Sequence, residues 1–272
     1  MNVIIPMAGS GERFVAAGYA APKPIISVGG RFIIDYVCDM FDRDNDSFIF
    51  VCNEKHLKTT AMEPILKSLV ANCTVVSMPQ HKLGPVHTVL AASQYINDDE
   101  PVVVAYCDNP VTWNYEDFKR FVSDKDGCVV SHSGFHPHTL SSTLFAYSKT
   151  DADNRVLEIK EKSCYTSNRF HEHASSGIYY FKHGAYIKKY FNEAIEKNIN
   201  YNGEFYVTLV YNLLIKDGLK VYSYLNDFVL AFGTPREVRN FEAWMTILEG
   251  GQVETVEDAV DCFNYWSRYK RL

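Results

Sequence analysis

Apolar runs of strand length, separated by helix-like stretches, constrain this chain more than any other feature. Asn2-Val3-Ile4-Ile5, Phe48-Ile49-Phe50-Val51-Cys52, Thr74-Val75-Val76-Ser77-Met78 and Pro101-Val102-Val103-Val104-Ala105-Tyr106-Cys107 all read as strands. The last is the clearest, and runs of this kind belong to strands covered on both faces. Between them, residues 54–70 carry Leu57, Ala61, Ile65 and Leu69 four apart, the spacing of one helix face. Pro64 is expected to kink or split that helix. Residues 86–96 read as another helix. The alternation predicts an α/β fold of three layers: a mixed, mostly parallel sheet with helices on both faces.

The second half changes character. Residues 127–133 and 141–148 read as strands joined by a loop rich in His and Pro, and 155–160 and 174–181 as two more. A mixed or antiparallel extension of the sheet suits them. Residues 183–197 and 203–216 read as helices, the second stopped by Gly218, and 221–225 as a strand. Pro235 opens a helix to about Leu248, with Thr234 as its cap. Gly250-Gly251 then breaks the chain before a last amphipathic helix at 253–269. The expected organisation is one domain over 1–249, with a helical extension at 250–272 packed on the body. Phe263, Trp266 and Tyr269 on that extension would cover either the body or a neighbouring subunit of a homo-oligomer.

The chain has 272 residues, 47% of them hydrophobic, enough for one large core. A net charge of −6 argues against a general nucleic-acid binder, which would carry a basic face. No run of 18 apolar residues occurs and no basic-then-apolar leader opens the chain, so neither a membrane span nor a signal peptide is expected. Seven cysteines, odd in number and without Cys-x-x-Cys, read as reduced, mostly buried thiols of a cytosolic protein.

The phrase Pro6-Met7-Ala8-Gly9-Ser10-Gly11-Glu12-Arg13-Phe14 reads as a loop leaving the first strand, followed by Pro22-Lys23-Pro24. Gly9 and Gly11 let a phosphate approach the backbone and leave amides free to donate to it. Arg13 and Lys23 add fixed positive charge. A Gly-x-Gly alone can mark only a tight turn. The third glycine of the dinucleotide fingerprint and the Gly-Lys-Ser/Thr of a Walker loop are both missing here. Together, the pieces suggest a wrap for a nucleoside triphosphate.

Asp108 follows the clearest strand, at the sheet end where ligands bind. It is placed to hold Mg²⁺ against phosphate oxygens, although Asp108-Asn109-Pro110 also reads as an ordinary turn. Residues 79–87 could bring Gln80 and the Gly84 backbone to a base edge, or be a plain helix entry. Glu158-Ile159-Lys160-Glu161-Lys162 reads as a solvated strand end, or as a place for Lys160 or Lys162 on a substrate phosphate. His132, His136, His138, His171 and His173 lack the companions of a zinc site and are expected in exposed loops.

With these motifs in order, residues 2–247 resemble the nucleotidylyltransferase family, which includes sugar-nucleotide pyrophosphorylases and bacterial cytidylyltransferases of surface-polysaccharide pathways. The signature is similar at Ala8-Gly9-Ser10-Gly11-Glu12-Arg13 and Pro22-Lys23-Pro24, the base-reading loop around Gln80 and Gly84, and the strand-end aspartate at Asp108. Val156-Leu157-Glu158-Ile159-Lys160-Glu161-Lys162, Ser175-Ser176-Gly177-Ile178-Tyr179 and Asn202-Gly203-Glu204-Phe205-Tyr206 resemble later family segments. The resemblance implies a Rossmann-like, GT-A-like fold and a magnesium-dependent reaction in which an acceptor phosphate attacks the α-phosphorus and pyrophosphate leaves. It implies that Ala8, Gly9, Ser10 and Gly11 bind nucleotide with Gln80 and Gly84, and that Arg13 and Lys23 act on the phosphates. Asp108 would hold the metal, and Lys160, Gly177 and Glu204 would meet the phosphorylated small-molecule acceptor. The style of the motifs favours CTP and a surface-polysaccharide precursor, with UTP, dTTP and GTP open. Two departures stand out. Ala231 occupies the place of a late aspartate ligand, leaving Glu204 or Asp227 as substitutes, and the base loop reads Gly84-Pro85-Val86. A nucleotide-sugar glycosyltransferase is disfavoured because no Asp-x-Asp ends the strand, and a non-catalytic nucleotide-binding subunit is the remaining alternative.

Overall fold

The first strand, β1 (Asn2–Met7), feeds a short helix, α1 (Glu12–Ala16), followed by the pair β2 (Ser27–Val28) and β3 (Arg31–Phe32) and helix α2 (Ile33–Cys38). Next come β4 (Ser47–Asn53), α3 (Glu54–Thr59), α4 (Met62–Leu69), β5 (Cys73–Met78), α5 (Pro85–Leu90) and β6 (Val102–Ala105). Then follow β7 (Val111–Thr112), α6 (Tyr115–Val122), β8 (Gly127–His132), β9 (Tyr147–Thr150), β10 (Val156–Lys160) and β11 (His173–Phe181). The chain closes with α7 (Gly184–Glu196), α8 (Val207–Lys216), β12 (Val221–Leu225), β13 (Phe228–Val229) and α9 (Pro235–Leu248). This computed structural model describes residues 1–134 and 145–248. The expected helix at 253–269, and residues 141–144 of the expected strand at 141–148, lie outside the described residues.

A nine-stranded mixed sheet organises the molecule. β1 pairs in parallel with β4 and β6, and β4 with β5. β11 runs antiparallel between β6 and β8, β12 is parallel to β8, and β9 and β10 extend the amino end of β11. Successive strand residues face opposite layers. Ile4, Val102 and Val104 pack into one core with Val86, Phe191 and Val210 of α5, α7 and α8. Val3, Ile5, Val103 and Ala105 pack into the other with Val37, Leu66 and Phe118 of α2, α4 and α6. Both faces are covered, which is why these strands read as unbroken apolar runs. Truncating Ile4, Ile5 or Leu66 to Ala would cost about 2–5 kcal/mol.

Several expected boundaries move, each for a local reason. The 54–70 helix splits at Thr60, before Pro64: its hydroxyl donates to the His56 carbonyl at 2.7 Å and accepts from the Met62 amide at 3.3 Å, ending one helix and starting the next. Pro64 falls in the first turn of α4, where a missing amide costs little. The 203–216 helix begins only at Val207, because both backbone groups of Phe205 are bonded elsewhere, to Leu83 and Val86. The 86–96 helix is a shorter α5 followed by a 3₁₀ turn at Ser93–Tyr95. The Glu12-Arg13-Phe14 end of the N-terminal phrase is helix rather than loop. A third, small core joins Phe14, Ile26, Val28 and Ile33 to Phe232 and Val238, fastening the start of α9 beside α1.

Candidate active site

The segments leaving the carboxyl ends of β1, β5 and β6 line one cleft of about 540 Å³. Parallel strands deliver their carboxyl ends to such a crevice. After β1, Ala8 is buried and its carbonyl accepts from Asn53 Nδ2 at 3.3 Å, which pins the loop. Gly9 faces open space: a Cβ built there meets no protein atom within 4 Å. The fold does not demand a glycine at this position, so its lack of side chain leaves room for a ligand. Phe14 is 2% exposed and packs edge-on against Tyr19 at 5.3 Å. One residue earlier is about 100° round the helix, so anchoring Phe14 leaves Arg13 exposed on the cleft wall.

Pro22 and Pro24 restrict the backbone on either side of Lys23, and Pro24 and Ile25 are buried. From this stiff segment Lys23 Nζ reaches Asp108 Oδ2 at 2.6 Å. Burial pulls the Lys23 pKa down, but the charge and hydrogen bond of the Asp108 carboxylate more than offset this and hold it above the ordinary lysine value. Lys23 is therefore a fixed cation. Burial pushes the Cys107 thiol up to about 11, so it is no nucleophile at neutral pH.

The segment around β13 runs beside the one after β6. The amides of Asp227, Leu230 and Phe232 donate to the carbonyls of Thr112, Pro110 and Asp108 at 3.0, 2.8 and 2.8 Å. This ladder sets Gly233 against Asp108. A Cβ built on Gly233 would lie 3.5 Å from Asp108 Oδ2 and 3.5 Å from Glu237 Oε2. Glu237 stands in the first turn of α9, where its amide donates to Thr234 Oγ1 at 3.3 Å and its carboxylate accepts from that hydroxyl at 3.0 Å. Burial raises the Glu237 pKa, Asp108 adds to the rise, and the Thr234 hydrogen bond opposes it.

Gly84 holds φ +89°, and a Cβ there would stand 2.6 Å from the Phe205 nitrogen and 2.7 Å from its oxygen. No other residue fits. Through this contact Leu83 O accepts from Phe205 N at 2.9 Å and Val86 N donates to Phe205 O at 3.1 Å. Glu204 and Tyr206 are thereby brought into the cleft wall. The Tyr206 hydroxyl donates to Glu204 and accepts from Lys162 Nζ at 2.7 Å.

Of the residues nominated from the sequence, Ala8, Gly9, Ser10, Gly11, Arg13, Lys23, Gly84, Asp108 and Glu204 line this cleft. Gln80, Lys160 and Gly177 do not. Gln80 is exposed, with Oε1 at 3.5 Å from Asn53 Nδ2. Lys160 ends β10 with its ammonium 4.3 Å from the centre of the Tyr165 ring. The chain turns just after it, with Lys162 at φ +53°, and it is Lys162 that reaches the Tyr206 hydroxyl in the cleft wall. Gly177 forms the irregular step in β11 at φ +83°; its carbonyl accepts from Tyr106 N at 2.8 Å, and a Cβ would press on Asn109 Nδ2 at 3.2 Å. It shapes the backbone beside Asp108 rather than facing the cleft.

Neither Asp227 nor Glu237 is in the lining, but Glu237 lies behind Gly233, close enough to Asp108 to feel its charge. Its helix-start pairing with Thr234 three residues earlier was visible in the sequence; its nearness to Asp108 was not. Among the described residues no three His, Cys, Asp or Glu side chains gather as a metal cluster. His132 is buried against Ser176 Oγ at 3.0 Å, not exposed in a loop, and His173 bonds Ser223 Oγ at 2.8 Å. His136 and His138 lie outside the described residues.

A mixed, mostly parallel sheet whose strand ends carry a glycine-rich loop, a Pro-Lys-Pro segment and a strand-end aspartate defines a nucleotidyltransferase of Rossmann-like fold. Residues 3–163 match the MobA-like NTP transferase domain, and the chain belongs to that family. Over 234 residues it is 24% identical to the bifunctional protein GlmU of Staphylococcus epidermidis, covering 83% of this chain and 48% of that protein. Identity to GlmU of Methanocaldococcus jannaschii is 27% over 233 residues, covering 84% and 51%. The chain thus spans about half the length of the curated relatives it matches. A nucleoside-diphosphate-sugar pyrophosphorylase from Vibrio cholerae superposes with a TM-score of 0.74 at 20% identity, covering 88% of this chain and 99% of that one. An inositol-1-phosphate CTP transferase from T. maritima gives 0.68 at 14%, covering 93% and 98%. These likenesses establish the fold.

Proposed function

We propose that this chain transfers a nucleotidyl group from a nucleoside triphosphate, with CTP favoured, to a phosphorylated small molecule of surface-polysaccharide synthesis, releasing pyrophosphate. The observation that carries the reading is the Lys23–Asp108 pair at 2.6 Å in the same cleft as Gly9, whose Cβ side is open. The acceptor phosphate is an anion at neutral pH and needs no general base, so positioning and charge neutralisation do the catalysis. Arg13 and the loop amides hold the β- and γ-phosphates. Lys23 stabilises charge that shifts onto the α-phosphate. Glu204, with Tyr206 and Lys162 behind it, forms the wall nearest the acceptor.

Magnesium is the cation the family resemblance implies, and the donor chemistry fits. Asp108 and Glu237, whose carboxylates flank Gly233, would be the two oxygen donors from the protein, a set that suits an ion completing its shell with phosphate oxygens and water. Bound there, the ion would neutralise triphosphate charge.

The relatives do not agree on a base: one structural neighbour is a CTP transferase and another a UDP-glucose pyrophosphorylase. A panel of CTP, UTP, dTTP and GTP against phosphorylated sugars, polyols and amines, read by pyrophosphate release, tests the reading. Release with CTP supports it, release with another triphosphate and a sugar 1-phosphate moves the chain to that specificity, and no release from any pair defeats it. Lys23→Ala should lower turnover by about 10²-fold or more at unchanged fold, checked by circular dichroism.

A further inference from the structure

We propose that the Thr88 hydroxyl donates a hydrogen bond to an acceptor atom of the nucleobase and sets base specificity, with His81 as its positioning residue. The inference rests on the reading of the cleft as a nucleoside triphosphate site. Both side chains belong to residues that line the cleft, His81 in the segment after β5 and Thr88 in α5.

The direction of each hydrogen bond follows from one fixed point. The Leu83 amide donates to His81 Nδ1 at 3.1 Å, so that nitrogen carries no proton. The ring is then neutral with its proton on Nε2, and its partial burial, which lowers the pKa, favours the same form. Nε2 lies 3.0 Å from Thr88 Oγ1, so Nε2–H donates to that oxygen. The Thr88 hydrogen must therefore point to a different acceptor.

A helical threonine ordinarily donates to the carbonyl four residues back. Thr59 and Thr246 do so, to Lys55 and Glu242, and Thr208 donates instead to the Glu161 carboxylate. For Thr88 the His81 ring is the only side-chain hydrogen-bond partner among the described residues. Thr88 as a residue is 5% exposed, so leaving that hydrogen without an acceptor is costly. It stands by Gly84 and Pro85, whereas the phosphate-binding cations Arg13 and Lys23 come from other segments. A neutral, direction-fixed donor matches a base carbonyl or ring nitrogen rather than a phosphate.

Calorimetric binding of CTP, UTP, dTTP, GTP and inorganic tripolyphosphate to the full chain and its variants tests this. Thr88→Val should weaken the best-bound nucleotide about tenfold and narrow its margin over the others. Thr88→Ser should restore both, and His81→Phe should reproduce the loss. Tripolyphosphate, which has no base, should bind all variants equally. Unchanged nucleotide affinity in Thr88→Val, or an equal loss of tripolyphosphate, overturns the proposal. A wild-type chain that binds tripolyphosphate as tightly as any nucleotide overturns base reading while leaving the phosphate site intact. A chain that binds none of the five overturns the triphosphate reading as well.

Discussion

Gly9 and Lys23 show two ways a single residue makes a site. Gly9 is free of protein contacts on its Cβ side, so a methyl group there should leave the fold unchanged and obstruct only the ligand. Gly9→Ala is expected to keep the wild-type melting temperature while weakening triphosphate affinity by about tenfold or more; a matched loss of both would make the glycine structural. Lys23 works the other way, held in place by flanking prolines and by Asp108. Both residues were legible in the sequence because glycine, proline and lysine act through their own covalent chemistry wherever they are placed. Lys160 and Lys162 were not separable that way. Two lysines two apart on a strand end look equivalent until the turn at Lys162 sends only that one to Tyr206.

At the scale of elements, the site is assembled by segments that dock on one another. Gly84 allows the segment after β5 to lie on the backbone of Phe205. Gly84→Ala forces a strained φ and a backbone clash, and should cost about 3 kcal/mol or more in chemical denaturation, with loss of nucleotide binding. A variant as stable as wild type would show that the close approach is dispensable. Helix α9 supplies the other docking event, carrying Glu237 to Asp108 where Ala231 offers no ligand. Glu237→Gln should weaken Mg²⁺ binding in the presence of a non-hydrolysable triphosphate by about tenfold, read by calorimetry, with little change in melting temperature. Unaltered magnesium affinity would leave Asp108 and the phosphates as the whole site. Sequence periodicity found most strands and long helices but missed α1 and α2, which are too short to display a face clearly, and also passed over α6, although its Phe118 and Val122 stand four apart on a buried face.

For the molecule as a whole, a carboxyl group buried beneath α8 gives stability a distinctive pH dependence. Glu161 is 8% exposed and accepts from Thr208 Oγ1 at 2.6 Å. Burial raises its pKa to about 7, with Thr208 and Lys162 opposing and Glu204 adding to the rise. The folded state thus binds more protons than the unfolded one between about 4.5 and 7. This group's contribution is full below that window and is lost as pH rises through it, up to about 3 kcal/mol. Glu161→Gln stays neutral, so its melting temperature should gain on wild type from pH 4.5 to 7.5 and then hold level. A gap independent of pH would mean that the carboxyl is solvated. By itself the sequence determined the sheet, its two covered faces, the glycine-rich loop and the strand-end aspartate, because these follow from local chemistry and short periodicities. Only the tertiary structure decided that Glu237 lies near Asp108, that Lys162 rather than Lys160 bonds Tyr206 in the cleft wall, and that His81 bonds Thr88. Those pairings join residues on separate segments, and their distances depend on how the layers pack.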